Sequence, residues 1–86
     1  MEVKNMINEA QVMEELKGLI REVSDEEVIE GTDNIMEDLG LASIDIFNLL
    51  GEIEIKFDIR ISERVLKNIE TVDDFAKVIC RALAKK

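Results

Sequence analysis

One serine, Ser43, lies in the segment Asp38-Leu39-Gly40-Leu41-Ala42-Ser43-Ile44-Asp45, just before a proline-free apolar run that extends to Phe57. That run predicts a helix beginning at Ser43, and the first N–H groups of a helix lack partners and carry partial positive charge. A phosphate ester on the Ser43 hydroxyl would be held by such groups. The chain has no histidine, the base that usually activates a nucleophilic serine. The pattern therefore indicates an attachment point and not a catalytic residue.

The composition predicts a single all-α domain spanning residues 1–86. Hydrophobic residues make up 47% of the chain and aromatic residues only 3%, so the core must be aliphatic. The chain has no proline and four glycines, which permits long helices and argues against a turn-rich β fold.

The net charge of −9, from 20 acidic and 11 basic residues, argues against a nucleic-acid partner. An acidic surplus favours encounter with basic partner surfaces, although solubility alone would explain it equally well. No apolar run is long enough to span a membrane, and the charged segment Met1–Glu9 lacks the apolar stretch of a signal peptide. The single cysteine, Cys80, falls on the apolar stripe of the last helix and is expected to be a buried structural thiol. We expect a cytoplasmic monomer without an intrachain disulfide.

Helical spacing of apolar residues predicts four helices. Their expected ranges are about Asn5–Glu22, Ser43–Phe57, Glu63–Asn68 with Ser62 as its cap, and Thr71–Ala84 with a capping pair of Thr71 and Asp74. The expected inward residues of the first helix are Met6, Ala10, Met13, Leu16, Ile20 and Val23. Two isoleucines, Ile59 and Ile61, are expected to pack inward from an extended bridge after the second helix.

The connection of about twenty residues between the first two helices is unusually long for so small a domain, and such loops are often functional. Ser24 and Glu27 have the spacing of a capping box, which allows a short helical turn. Four apolar residues are expected to pin this loop to the core: Val28, Ile29, Ile35 and Leu39.

A helical wheel divides the second helix into two faces. Its core face comprises Ile46, Leu49, Leu50, Ile53 and Phe57. The opposite face comprises Ile44, Asn48, Gly51 and Ile55, flanked by Asp45 and Glu52. A partly apolar strip with an acidic margin beside Ser43 predicts a docking surface for partner proteins, although scattered surface hydrophobic residues would look similar.

The run from Glu37 to Asp45 resembles the phosphopantetheine attachment motif of acyl carrier proteins, usually Asp-Leu-Gly-x-Asp-Ser-Leu-Asp. The order and spacing of apolar residues agree with that family from about Met6 to Leu83. The resemblance implies a four-helix bundle with a short third helix and a long loop between helices one and two. It also implies that a phosphopantetheinyl transferase attaches 4′-phosphopantetheine from coenzyme A to Ser43, and that the arm carries acyl groups as thioesters. No catalytic residue and no metal site are expected.

The resemblance further implies that acyl- or aminoacyl-loading enzymes and synthases recognise the second helix and the loop before it. The candidate contact residues are Asp38, Leu41, Ile44, Asp45, Asn48, Glu52, Glu54 and Ile55. The chain departs from the family pattern: Ala42 replaces a common acidic residue, Ile44 replaces leucine, and Asn48, Gly51 and Ile55 stand where acidic or larger residues are usual. These departures favour a dedicated polyketide, peptide-synthetase or other acyl pathway over the housekeeping carrier of fatty acid synthesis.

Three other interpretations remain. Ser43 alone, outside the motif, would be read as the N-cap of its helix. An autonomous enzyme is disfavoured because the chain lacks histidine, tyrosine, tryptophan and a glycine-rich phosphate loop, and the acidic residues near Gly31 do not follow calcium-loop spacing. An unmodified helical interaction module stays open, and a test for covalent modification separates it from a carrier.

Overall fold

The computed structural model describes residues 9–85, and in this range the chain forms four helices and no strand. They are α1 (Glu9–Val23), α2 (Ser43–Phe57), α3 (Glu63–Leu66) and α4 (Val72–Ala84). The all-α class, the short third helix and the long α1–α2 loop agree with the sequence prediction. The predicted start of the first helix, at Asn5, lies outside the described residues. No helix in residues 9–85 is long and apolar enough to cross a membrane.

The helices enclose an aliphatic core in which α1 packs against both α2 and α4. Two phenylalanines, Phe57 and Phe75, complete it. The side chains that are almost inaccessible to solvent are Val12, Leu16, Ile20, Ile35, Leu49, Ile53, Val72, Phe75 and Ile79.

The inward face of α1 confirms the prediction at Leu16 and Ile20 and differs from it at Ala10, Val12 and Val23. Val12, Leu16 and Ile20 repeat every fourth residue and are completely buried, with Met13 half-buried beside them. Ala10 is exposed because it lies two residues from Val12, about 200° around the helix. Val23 is 38% exposed because it ends α1, where the chain turns away from the core. Met6 lies outside the described residues.

The residues of α4 follow the prediction more closely. Val72, Phe75, Ala76 and Ile79 are buried on its inner face. Cys80 packs against the same core but is half-buried, less than expected. Burial, together with the Glu9 carboxylate, raises the pKa of the Cys80 thiol, which keeps it protonated and poorly reactive.

The α1–α2 loop is pinned by Ile29, Ile35 and Leu39, as predicted, whereas Val28 is 73% exposed and points away from the core. The predicted helical turn at Ser24 does not form, because the Ser24 hydroxyl instead accepts a hydrogen bond from the Glu26 N–H at 3.2 Å. A serine bonded two residues ahead closes a local turn without starting a helix.

The bridge between α2 and α3 is extended, with Ile59 and Ile61 buried and Arg60 exposed, as predicted. Asp58 ends α2 in the left-handed conformation, with φ of 56°. The Glu54 carboxylate accepts a hydrogen bond from the Ile61 N–H at 2.9 Å, which fastens the bridge to α2.

Candidate functional site

The chain enters α2 through a tight turn organised by Asn34. The Asn34 side-chain oxygen accepts hydrogen bonds from the N–H groups of Met36 and Glu37, at 3.0 and 2.8 Å. The Asn34 N–H donates to the Asp38 carboxylate at 2.7 Å. These bonds give the N–H groups of the turn their hydrogen-bond acceptors, so residues 34–38 form an ordered turn before α2.

Two buried leucines fix the next segment. Leu39 and Leu41 are 6% and 3% exposed, and Gly40 between them adopts φ of 71°, which costs a residue with a Cβ about 1–2 kcal/mol. The Leu41 N–H donates to the Ile35 carbonyl at 3.2 Å. The prediction that Leu41 belongs to the partner surface is wrong, because its side chain fills the core.

The N-cap of α2 is Ala42 and not Ser43. Ala42 has extended backbone angles, and its carbonyl accepts the Ile46 N–H at 3.1 Å. The Asp45 carboxylate accepts the Ala42 N–H at 3.0 Å, which gives half of a capping box. The other half is missing because alanine has no acceptor, so Ser43 is the first helical residue and the interpretation of Ser43 as an N-cap is wrong.

The Ser43 hydroxyl is exposed and makes no hydrogen bond to any residue within 9–85. The other two serines both fasten turns: Ser24 bonds the Glu26 N–H, and Ser62 bonds the Arg64 N–H at 3.2 Å. Ser43 is therefore available for reaction without loss of a structural contact.

The first turn of α2 also leaves backbone donors free. No acceptor within the described residues bonds the N–H groups of Ser43, Ile44 and Asp45. Free donors at the positive end of a helix favour an anion at this point. The surroundings of the Ser43 hydroxyl thus suit a phosphate ester electrostatically.

A groove of about 640 Å³ lies beside Ser43, between the first half of α2 and the α3 region. Ile46, Leu66 and Ile69 are half-buried in it, and Phe47 is 45% exposed along it. Its other lining residues are Met36, Glu63, Arg64, Lys67 and Glu70. The sequence analysis missed this groove, because it placed Ile46 in the core and gave no role to Phe47. The only signal in the sequence was Phe47 itself, an additional apolar residue beside the predicted core face of α2.

The remaining candidate contact residues divide into two groups. Ile44 and Ile55 are 63% and 84% exposed, and Asn48, Glu52 and Asp38 are also exposed. By contrast, Asp45 and Glu54 are half-buried, and their carboxylates, like that of exposed Asp38, accept the backbone bonds described above. The outer face of α2 is therefore accessible and partly apolar, whereas Asp38, Asp45 and Glu54 have structural roles.

Within residues 9–85 no three cysteine, aspartate or glutamate side chains are grouped closely enough to hold a metal ion.

Comparison with known proteins gives concordant results. A family model described as "Phosphopantetheine attachment site" matches residues 14–79. An acyl carrier protein of Phytoplasma australiense is 37% identical over 75 residues, which cover 85% of this chain and 99% of that protein. An acyl carrier protein of Onion yellows phytoplasma (strain OY-M) is 39% identical over 72 residues, 81% of this chain and 95% of that protein.

A solved structure agrees with these sequence matches. The structure of a putative acyl carrier protein from Mycobacterium tuberculosis superposes with a TM-score of 0.77 at 31% identity, covering 81% of this chain and 96% of that one. The chain therefore belongs to the acyl carrier protein family, which carries a covalently attached phosphopantetheine prosthetic group.

Proposed function

We propose that Ser43 is the residue that bears 4′-phosphopantetheine, and that the protein presents acyl intermediates to partner enzymes as thioesters of that arm. The observation that carries this proposal is the free, exposed Ser43 hydroxyl, which is the only serine hydroxyl within residues 9–85 that bonds no backbone N–H. When bound, the prosthetic group supplies a terminal thiol, a nucleophile that the chain's half-buried Cys80 does not provide.

Attachment requires an enzyme acting in trans. The Ser43 oxygen forms a bond to the pantetheine-bearing phosphorus of coenzyme A, the pyrophosphate bond breaks, and adenosine 3′,5′-bisphosphate leaves. The hydroxyl proton must go to a base, and the chain has no histidine to accept it. The nearest acidic residue in sequence, Asp45, already accepts the Ala42 N–H. A phosphopantetheinyl transferase would therefore supply the base.

Once attached, the phosphodiester would lie at the free N–H groups of the first turn of α2. The apolar groove beside Ser43 would shelter part of the arm or its cargo along Ile46, Phe47 and Leu66 without parting the core. This proposal differs from sequestration inside the bundle, because the groove is already open to solvent.

We assign the carrier to a dedicated acyl pathway and not to housekeeping fatty acid synthesis. The support is the outer face of α2, where Ile44, Asn48 and Ile55 are exposed and uncharged and Glu52 forms an acidic margin. Such a face favours loading enzymes and synthases that combine an apolar contact with a few basic residues. The half-buried, poorly reactive thiol of Cys80 suits a reducing compartment, so we place the protein in the cytoplasm.

Intact-mass spectrometry tests the attachment directly. The chain, incubated with coenzyme A and a broad-range phosphopantetheinyl transferase, should gain one phosphopantetheine group. The Ser43→Ala variant should gain none, while the matched variant Ser62→Ala, which removes a hydroxyl that caps α3, should still be loaded. Loading of Ser43→Ala, or no loading of the unaltered chain, would overturn the proposal and leave the unmodified interaction module as the better interpretation.

A further inference from the structure

The charge of the chain is divided unevenly along its sequence. Residues 1–55 contain 15 acidic and 3 basic residues, whereas residues 56–86 contain 5 acidic and 8 basic residues. Although the whole chain has a net charge of −9, its last third therefore has a net positive charge and forms a basic region. Arg64 and Lys67 of this region line the groove beside Ser43 and Lys56 pairs with Glu15, but neither site accounts for Arg60, Arg81 and Lys85.

Part of the basic region lines a continuous depression where the α2–α3 bridge packs against the end of α4. Two adjoining cavities of about 310 and 320 Å³ share Arg60, Ala82 and Lys85 as lining residues. The second cavity is also lined by Ile61, Ser62, Val65, Val78 and Arg81, and the first by Asp58 and Ile59. The depression thus combines an apolar floor with three cationic residues and one acidic residue, Asp58.

These three cations have no carboxylate partner within residues 9–85. The ion pair found in that range joins Lys56 to Glu15, with 3.0 Å between Nζ and Oε1. Arg60, Arg81 and Lys85 are all exposed. Asp58 also lines the depression, so three cations and one carboxylate leave an excess of two positive charges there, which attracts an anionic ligand.

We propose that this depression, the basic groove, binds an acidic amphipathic peptide segment of a partner protein. Glutamate or aspartate side chains of the partner would pair with Arg60, Arg81 and Lys85, and its apolar side chains would cover Val65 and Val78. The apolar floor argues against a small inorganic anion, which would leave it uncovered. A bilayer with anionic lipids is disfavoured because it would also face the strongly acidic remainder of the surface, whereas a peptide segment engages the groove alone.

The position of the groove gives this contact a distinct role. The bridge begins where α2 ends, and α2 is 15 residues long, so the Arg60 end of the groove is about 20 Å from Ser43 along the helix axis. A segment bound between Arg60 and the end of α4 leaves Ser43 and the first turn of α2 uncovered. The bound partner holds the carrier in place while other enzymes act on the arm.

Fluorescence polarisation with a defined probe tests the proposal. The probe is a short fluorescein-labelled peptide in which glutamate and leucine recur at helical spacing, used at low ionic strength with the full chain. Binding should weaken about tenfold in the double variant Arg60→Glu/Arg81→Glu. The matched variant Lys17→Glu/Arg21→Glu makes the same change in net charge on α1 and should bind within about twofold of the unaltered chain. Backbone amide shifts on peptide addition should map to residues 60–65 and 78–85.

Several results would overturn it. Equal weakening of peptide binding in both double variants would show that only the net charge of the protein matters. If the peptide does not bind to the unaltered chain, the cations serve solubility and stabilise the negative C-terminal end of the α4 dipole. Tighter binding to vesicles of phosphatidylcholine and phosphatidylglycerol than to the peptide would replace the proposed partner with a membrane surface. Thermal melts of both variants establish that they are folded, and loading of Ser43, measured in parallel, separates failure of this proposal from failure of the carrier function.

Discussion

The helices α2 and α4 both begin with an aspartate that accepts the N–H of the N-cap residue, but the capping box is complete only in α4. In both, an aspartate at the third helical position accepts the N–H of the N-cap residue: Asp45 bonds Ala42 at 3.0 Å, and Asp74 bonds Thr71 at 3.1 Å. In α4 the box is complete, because the Thr71 hydroxyl accepts the Asp74 N–H at 3.1 Å. In α2 it is half complete, because Ala42 has no acceptor.

The two helix starts also differ in what surrounds them. The N–H groups of Val72 and Asp73, the first two residues of α4, donate to the carbonyls of Asp33 and Gly31 at 3.1 and 2.8 Å. The corresponding groups of α2 have no acceptor within residues 9–85. The start of α4 is therefore closed by the protein itself, and the start of α2 is open.

Backbone bonds link the start of α4 to the loop that leads into α2. The loop that closes α4 continues into the segment that carries Ser43, and it is held by the bond from the Ile35 N–H to the Glu70 carbonyl at 2.8 Å. An isolated bridge between Asn34 and Thr71 adds to this attachment. The start of α4 is thus bonded to the loop that precedes α2, whereas the first-turn N–H groups of α2 have no acceptor within residues 9–85.

The largest expected difference concerns the first-turn side chains. Val72→Ala should lower the free energy of unfolding by about 2 kcal/mol, because Val72 is completely buried. Ile44→Ala should change it by less than about 0.5 kcal/mol, because Ile44 is 63% exposed. Urea denaturation measures both values. A loss of several kcal/mol in Ile44→Ala would show that the first turn of α2 is part of the core.

The next effect concerns the glycine before α2. Gly40→Ala should destabilise the fold by about 1–2 kcal/mol, because φ of 71° strains a residue with a Cβ even though the space there is open. Gly31→Ala, beside α4, should cost less in urea denaturation, because only the mobile end of the Asp73 side chain must move aside. A larger loss at Gly31 than at Gly40 would mean that crowding outweighs backbone strain.

A reciprocal exchange of caps tests the comparison itself. Thr71→Ala should lower the free energy of unfolding by about 1 kcal/mol, because it removes the acceptor for the Asp74 N–H. Ala42→Thr should raise it by a similar amount, because the exposed position has room for a hydroxyl that accepts the free Asp45 N–H. Thermal denaturation of both variants would detect opposite shifts in Tm, and shifts of the same sign would contradict the account.

The smallest effect is a dependence on acid. Hydrogen bonds from the Thr71 and Glu70 N–H groups hold the pKa of the Asp74 carboxyl below its ordinary value of 3.8. The stabilisation is present above about pH 4 and is lost as the pH falls through the lower pKa of the folded state. Asp74→Asn should therefore be less stable at neutral pH and should lose less stability on acidification. A slope of stability against pH that is unchanged in Asp74→Asn would contradict this prediction.

The sequence was sufficient where local signals are strong. Both ends of α2, the Ser62 cap and the Thr71–Asp74 pair were predictable because capping patterns and helical periodicity act over a few residues. The N-cap was misplaced by one residue, because serine is a better cap than alanine and only the backbone angles of Ala42 reveal its position.

Features that depend on packing were not predictable. Leu16 and Ile20 of α1 were predicted as inward, but Val12 was not, because its burial depends on the contact of α1 with α2 and α4. Leu41 and Val28 lie in a loop without periodicity, so their opposite burial could not be assigned. The groove beside Ser43 depends on how Phe47 meets the α3 region, a long-range relation that a helical wheel does not contain.

The most direct test compares backbone amide chemical shifts of the chain before and after incubation with coenzyme A and a phosphopantetheinyl transferase. We predict that the amide protons of Ser43, Ile44 and Asp45 shift as the new phosphodiester meets the open start of α2. Those of Val72 and Asp73, already bonded at the closed start of α4, should stay unchanged. Unaltered amides at Ser43, Ile44 and Asp45, or shifts centred on α4, would contradict the account.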